Sequence, residues 1–284
     1  MTVSDINSFR ENILRKVKDN TLVLPTPPKV ALRVQKELKE NPDIDAHSLS
    51  KLIITDTAIV ASVMKAANAV GMNGKQKFKT LPHAIARIGL DRIRGLLFSL
   101  AIEQMFLTNS SIATAKLEKT WDQSINLTVN ALAFINLHYN KDMTRHINPD
   151  VLTLVAISHR IGHLPIYSEI SELSFDTDDD YFIAECENKL NPILTKAILL
   201  NWRMDAEIVR GAVGWQLPNN ASPILNYADI IRLVSIRLGQ FPFDRNIKNQ
   251  IWDQALKDEI IPSNNFFDTK EFSDKCEEIK KLLQ

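Results

Sequence analysis

A chain of 284 residues can bury an adequate core as one large domain or two small ones. Its 34 basic side chains equal its 34 acidic ones, so no net field draws the whole molecule toward nucleic acid or an anionic membrane; only a local patch could do so. Cys186 and Cys276 lie far apart, match no metal-ligand spacing and read as reduced thiols, and Met1 to Lys18 has no apolar run fit for a signal peptide or a membrane span. A soluble, cytoplasmic protein is therefore expected.

Glycines number only 8, and apolar residues recur at spacings of three and four over most of the chain, which predicts helices throughout. Val3, Ile6, Ile13, Leu14 and Val17 form the stripe of a first packing helix. Leu24-Pro25-Thr26-Pro27-Pro28 is extended, because proline forbids helix before it, and Pro28 suits a first helical turn. Val30, Leu32, Val34 and Leu38 mark a helix to about Lys39. His47–Ile54 and Thr57–Val70 read as two short helices meeting at Thr55-Asp56, where both side chains can accept from exposed amides. In the second of them Asn68 is the polar exception among alanines, and a bond to backbone is expected for it.

Lys75, Lys77 and Lys79 alternate in the following loop, usually a solvated arrangement but one that could cradle an anion. Thr80 is placed to cap a helix carrying Ala84, Ile85 and Ile88, with Gly89 as its stop. Asp91 opens the next, where Arg92 and Arg94 sit in a first turn that disfavours cations and so hint at an outside partner.

Leu24-Pro25-x-Pro27, Ile53-Ile54-Thr55-Asp56, Ala66-Ala67-Asn68-Ala69, and Ala84-Ile85 with Ile88-Gly89-Leu90 and Arg92 together resemble the HDOD domain of bacterial signalling proteins. Thr57 departs from that pattern, which usually has proline after the aspartate. The resemblance implies an all-α, two-lobed regulatory domain whose second half is similar to the HD phosphohydrolase superfamily. The divisions expected are an N-terminal helix over 1–23, an HDOD domain over 24–239 with lobes 24–108 and 109–239, and a C-terminal helical extension over 240–284.

Ala113 to Tyr139 reads as one helix of about 40 Å that could tie the lobes together. Near its middle, Gln123 stands where the resemblance implies a metal-binding histidine. Pro149 starts a helix that runs into Val155-Ala-Ile-Ser-His-Arg-Ile-Gly-His-Leu164, and the superfamily's His-Asp doublet aligns with His159-Arg160. A guanidinium in place of a carboxylate repels a metal ion. His159 and His163 have the i, i+4 spacing of a zinc pair but lack its glutamate, and His163 reads as a surface or capping residue. The acidic run Asp176 to Asp180 lacks the glycine and distal glutamate of a calcium loop and suits the start of a helix.

Asn191-Pro192 reads as the cap and first residue of a helix to Trp202, with Asn191 where active relatives carry another histidine; Trp215-Gln216 replaces paired histidines. Ser222-Pro223 reads as the start of a helix to Leu238, which places Asp229 where the resemblance implies the last metal ligand. An ion pair from Arg160 to Asp229 is expected to fill the pocket. After Gly239, the helices carrying Trp252 and Phe266-Phe267 either cover the second lobe or contribute to a dimer face.

These readings converge on a non-catalytic regulatory protein with no metal and no cofactor. Gln123, His159, Arg160 and Asp229 form a candidate small-molecule pocket, and Arg92, Arg94, Lys75 and Lys77 a candidate docking face for a signalling partner. A metal-dependent phosphohydrolase acting on a nucleotide or cyclic dinucleotide is the enzyme alternative. Nucleic-acid binding would rest on Lys75, Lys77, Lys79, Arg87, Arg92 and Arg94, and a homo-oligomer is compatible with the sequence.

Overall fold

The helical spacing is realised throughout the described residues. The computed structural model describes residues 3–69, 78–107, 114–138, 141–172, 179–219, 221–222 and 224–283, and every regular element among them is a helix. The first half contains α1 (Val3–Lys18), α2 (Lys29–Glu40), α3 (Ala46–Ile53), α4 (Thr57–Ala69), α5 (Leu81–Ile88) and α6 (Leu90–Leu107). The second contains α7 (Thr114–Leu137), α8 (Lys141–Thr144), α9 (Pro149–Ser158), α10 (His163–Glu172), α11 (Asp180–Asn201), α12 (Ala206–Gly214) and α13 (Tyr227–Arg237). The chain ends with α14 (Arg245–Lys257), a 3-10 turn (Phe266–Asp268) and α15 (Lys270–Leu283). No described helix is long and apolar enough to cross a membrane.

Local chemistry accounts for most boundaries. Asp56 alone caps α4, its Oδ1 accepting from the amides of Ala58 and Ile59 at 3.1 Å, while Thr55 turns back to donate to the Leu52 carbonyl. Thr80 precedes α5, but its side chain makes no capping bond. Gly89 ends that helix at φ +96°, in the left-handed region that side chains avoid. Asn68 bonds backbone as expected, donating to the carbonyl of Met64 and accepting from the amide of Phe78, both at 2.8 Å. Asp179 caps α11 through the Phe182 amide at 3.0 Å; Asp176 to Asp178 lie outside the described residues.

Two boundaries differ from expectation. Pro192 lies inside α11, which runs unbroken from Asp180 to Asn201, so Asn191 caps nothing. A proline in a helix interior costs about 3 kcal/mol, and burial of Leu190, Leu194, Ile198 and Leu199 on this helix offsets it. Secondly, α13 begins at Tyr227 rather than Ser222, because Asn226 and Asp229 close a capping box that fixes the start there.

Most of α9 is apolar on every side, with Leu152, Leu154, Val155, Ala156 and Ile157 fully buried, and such a helix must be central. It packs on α6, α7, α12 and α13. The long α7, about 36 Å at 1.5 Å per residue, meets α6, α9, α10, α13 and α15 and so connects the two halves. Helix α1 lies on α11, and α15 packs on α4, α6 and α7. The C-terminal aromatics are used internally: Phe267 stacks on Phe134 of α7 at 5.8 Å, and Trp252 lies 5.8 Å from Phe267.

Candidate functional site

The buried helix α9 delivers its last turn to the wall of a cleft. His159 is its C-cap, fully buried, with Nδ1 2.5 Å from the carbonyl of Ala156. A carbonyl can only accept, so Nδ1 carries the proton and Nε2 is left as an acceptor. The Arg160 Nε–H donates to it at 3.2 Å. Burial first, and then the neighbouring guanidinium, hold the His159 pKa well below the usual imidazole range, so the ring is neutral.

Arg160 is itself almost fully buried. It donates to Gln123 Oε1 at 2.8 Å and to the carbonyl of Gln240 at 3.2 Å, and its guanidinium carbon lies 5.7 Å from the centre of the Trp215 ring. Desolvation lowers its pKa, yet an arginine starts so high that it keeps its charge. Gln123, His159 and Arg160 are thus brought together.

Asp229 is not joined to them. Its carboxylate takes Arg232 at 2.8 Å, together with the Asn226 side-chain amide at 2.7 Å and the Ser222 amide at 3.1 Å. The expected ion pair from Arg160 to Asp229 is absent because Arg232, one turn along the same helix, already occupies the carboxylate. Arg232 also donates to the carbonyls of Trp215 and Gly214, which ties α13 to the end of α12.

Asn191 is fully buried behind the doublet. It donates to the His159 carbonyl and to Gln216 Oε1, both at 3.0 Å, and accepts from Thr195 at 3.0 Å. His163, expected as a surface or capping residue, is only 3 % exposed. Its Nδ1 stands 3.4 Å from Glu187 Oε1 without a hydrogen bond, while the Tyr167 hydroxyl donates to the same oxygen at 2.5 Å. His163, Tyr167 and Glu187, with Gln123, Arg160, Trp215 and Gln216, wall a cavity of about 550 Å³ between α7, α10, α11 and the loop after α13, with Lys116, Lys119 and Gln240 also on its surface. Glu187 and Gln240 carry no motif; they are visible only once the helices have been packed.

Burial pushes the His163 pKa down to about 4, only partly opposed by Glu187. An unfolded histidine titrates near 6.5, so between these values the unfolded chain binds the extra proton and stability must fall as pH falls. The loss should be complete near pH 4 and approach about 3 kcal/mol. Urea unfolding from pH 7 to pH 4 should show H163Q with a visibly shallower pH dependence than the parent; equal slopes would refute the assignment.

A relative of the HD superfamily implies a divalent metal here, and the donor set does not fit one. Both ring nitrogens of His159 are engaged, the Gln123 oxygen accepts from Arg160, Asp229 is ion-paired elsewhere, and a guanidinium stands where a second carboxylate is needed. Among the described residues no three His, Cys, Asp or Glu side chains converge.

Of the candidate docking residues, Lys75 and Lys77 lie outside the described residues. Arg92 is exposed and lines a second cavity of about 600 Å³ between α6, α7, α9 and α15. Arg94 is half-buried and does not line it. Two residues apart on α6, the two arginines do not stand side by side on the helix surface.

An all-helical domain with an HD-like helix and turn is the class that this geometry defines. The chain belongs to the HDOD domain family, whose sequence model matches residues 24–213. A solved structure named as a candidate metal-dependent phosphohydrolase, from Shewanella amazonensis SB2B, is 26% identical with a TM-score of 0.84, covering 99% of this chain and 100% of that one. An HDOD domain protein with unknown function from Geobacter sulfurreducens is similar in fold at 17% identity and a TM-score of 0.61, covering 96% and 97% of the two chains. A candidate signal transduction protein from Marinobacter aquaeolei VT8 also gives 17% and 0.61, covering 98% of this chain and 66% of that one. No curated protein matches the sequence.

Proposed function

We propose that the protein is a non-catalytic component of bacterial cytoplasmic signal transduction that acts by binding a protein partner or a small ligand through its HDOD domain. The observation that carries this reading is Arg160, whose guanidinium holds the histidine and the glutamine that would otherwise face a metal. Without a metal there is no activated water and no Lewis acid for phosphoester cleavage. Signalling then depends on a ligand or partner preferring one arrangement of the helices, since a molecule that binds all arrangements equally transmits nothing.

The alternative, a metal-dependent phosphohydrolase, is favoured by the name of the Shewanella relative. Elemental analysis of protein purified with added manganese, alongside phosphoesterase assays on nucleotides and cyclic dinucleotides with manganese or magnesium, separates the two. Substoichiometric metal and no turnover above the blank are expected. One metal per chain together with cleavage would overturn the proposal.

A further inference from the structure

Buried polar atoms nearly always find partners, so those that do not are informative. Among the described residues four such side-chain atoms lack one: Gln35 Oε1, His163 Nδ1, Trp215 Nε1 and Gln240 Oε1. Three of these four belong to residues on the wall of the cavity beside Arg160.

The charges in that wall are also unbalanced. Asp180 pairs with Lys116 at 2.7 Å, and Glu187 accepts from Tyr167. Arg160 makes no ion pair among the described residues, although the Glu187 carboxylate acts on it from farther off, and Lys119 stands exposed at the rim. Of the five N–H groups on a guanidinium, Arg160 uses three, on His159, Gln123 and Gln240, which leaves two. A buried guanidinium with N–H groups unused, balanced only by a carboxylate beyond ion-pair distance, gains from an oxyanion that meets it directly.

We infer that this cavity binds a small molecule with a terminal oxyanion, a carboxylate or phosphate monoester, seated on Arg160 and carrying a hydroxylated body. This rests on the ligand-binding reading above and names its chemistry. The Trp215 indole N–H and Gln240 Oε1 lie buried in that wall without partners, so a small side-chain shift on binding turns them to the ligand as a further donor and acceptor. At about 550 Å³ the cavity is far larger than a bare oxyanion and lies in the range of small-molecule sites. Lys119 adds attraction at the entrance.

The test is titration of the full chain, without added metal, with ribose 5-phosphate, gluconate, inorganic phosphate and neutral ribose. The readout is the indole N–H resonance of Trp215, assigned with W215F. Ribose 5-phosphate or gluconate should move that resonance saturably while ribose leaves it still, and whichever of the two binds identifies the oxyanion. R160Q should weaken binding at least about thirtyfold, the loss typical when one partner of a buried charge pair is truncated. Should R160Q not fold, K119E at the exposed rim should still weaken binding about fivefold.

No movement with any anion, an equal response to ribose, or undiminished binding by both variants would overturn the site. Phosphorus spectra of the same samples, repeated with manganese, report separately on catalysis. Release of phosphate would defeat the non-catalytic reading and leave the binding result standing.

Discussion

D229A should lower the stability of the fold by about 3–5 kcal/mol, the usual cost of stranding a buried ionic partner. Arg232 is 2 % exposed, and its guanidinium reaches Asp229 Oδ1 at 2.8 Å between two backbone carbonyls. Removing the carboxylate leaves a full positive charge in the core that only carbonyl dipoles can meet. The same substitution opens the capping box, because Asp229 Oδ2 accepts the Asn226 amide at 3.3 Å, and loss of a cap adds about 1 kcal/mol. Domains of this kind hold only about 5–15 kcal/mol in total, so the variant should show a large drop in urea midpoint or poor soluble yield. D229A/R232L should recover most of the loss, since it removes the stranded charge along with its partner. A D229A midpoint within about 1 kcal/mol of the parent would mean that the pair behaves as an exposed one, contrary to its burial.

That pair also shows where the sequence was legible and where it was not. Apolar spacing placed the helices, and Gly89, Asp56 and Pro149 marked boundaries through chemistry that acts within four residues. Pro192 misled for the same reason: a proline is a local stop signal, and only the tertiary burial of the α11 side chains on either side of it explains why the helix continues. In the site, the substitution of Arg160 for a carboxylate was readable in one line of sequence, as was the company of His159 and Gln123. The expected partner of Asp229, Arg160, is the wrong one, although Asp229-x-x-Arg232 has the i, i+3 spacing of a helical ion pair. Glu187 and Gln240 reach the cavity from α11 and from the loop beyond α13, and no spacing rule connects residues so far apart in the chain.

G162A should cost about 3 kcal/mol, near the upper end for overpacking, although alanine is the better helix former. A Cβ at this position would lie 2.7 Å from the Asn191 carbonyl oxygen, 2.9 Å from Asn191 Oδ1 and 3.0 Å from the Thr195 amide nitrogen. Two of these three atoms are backbone of α11, which cannot swing aside as a side-chain tip can. The turn from His159 to Gly162 would have to lift off α11, and the bonds that fix it would stretch: the Gly162 amide to Thr195 Oγ1 at 3.1 Å, and Asn191 to the His159 carbonyl at 3.0 Å. Because the obstacle is main chain, N191A should not rescue G162A, for it removes the contact at 2.9 Å and leaves the one at 2.7 Å. Thermal unfolding of G162A, N191A and the double variant distinguishes the cases. Recovery in the double variant would place the obstruction in the side chain, and a single variant within about 0.5 kcal/mol of the parent, as for a neutral surface change, would mean that the turn and α11 are not in close contact.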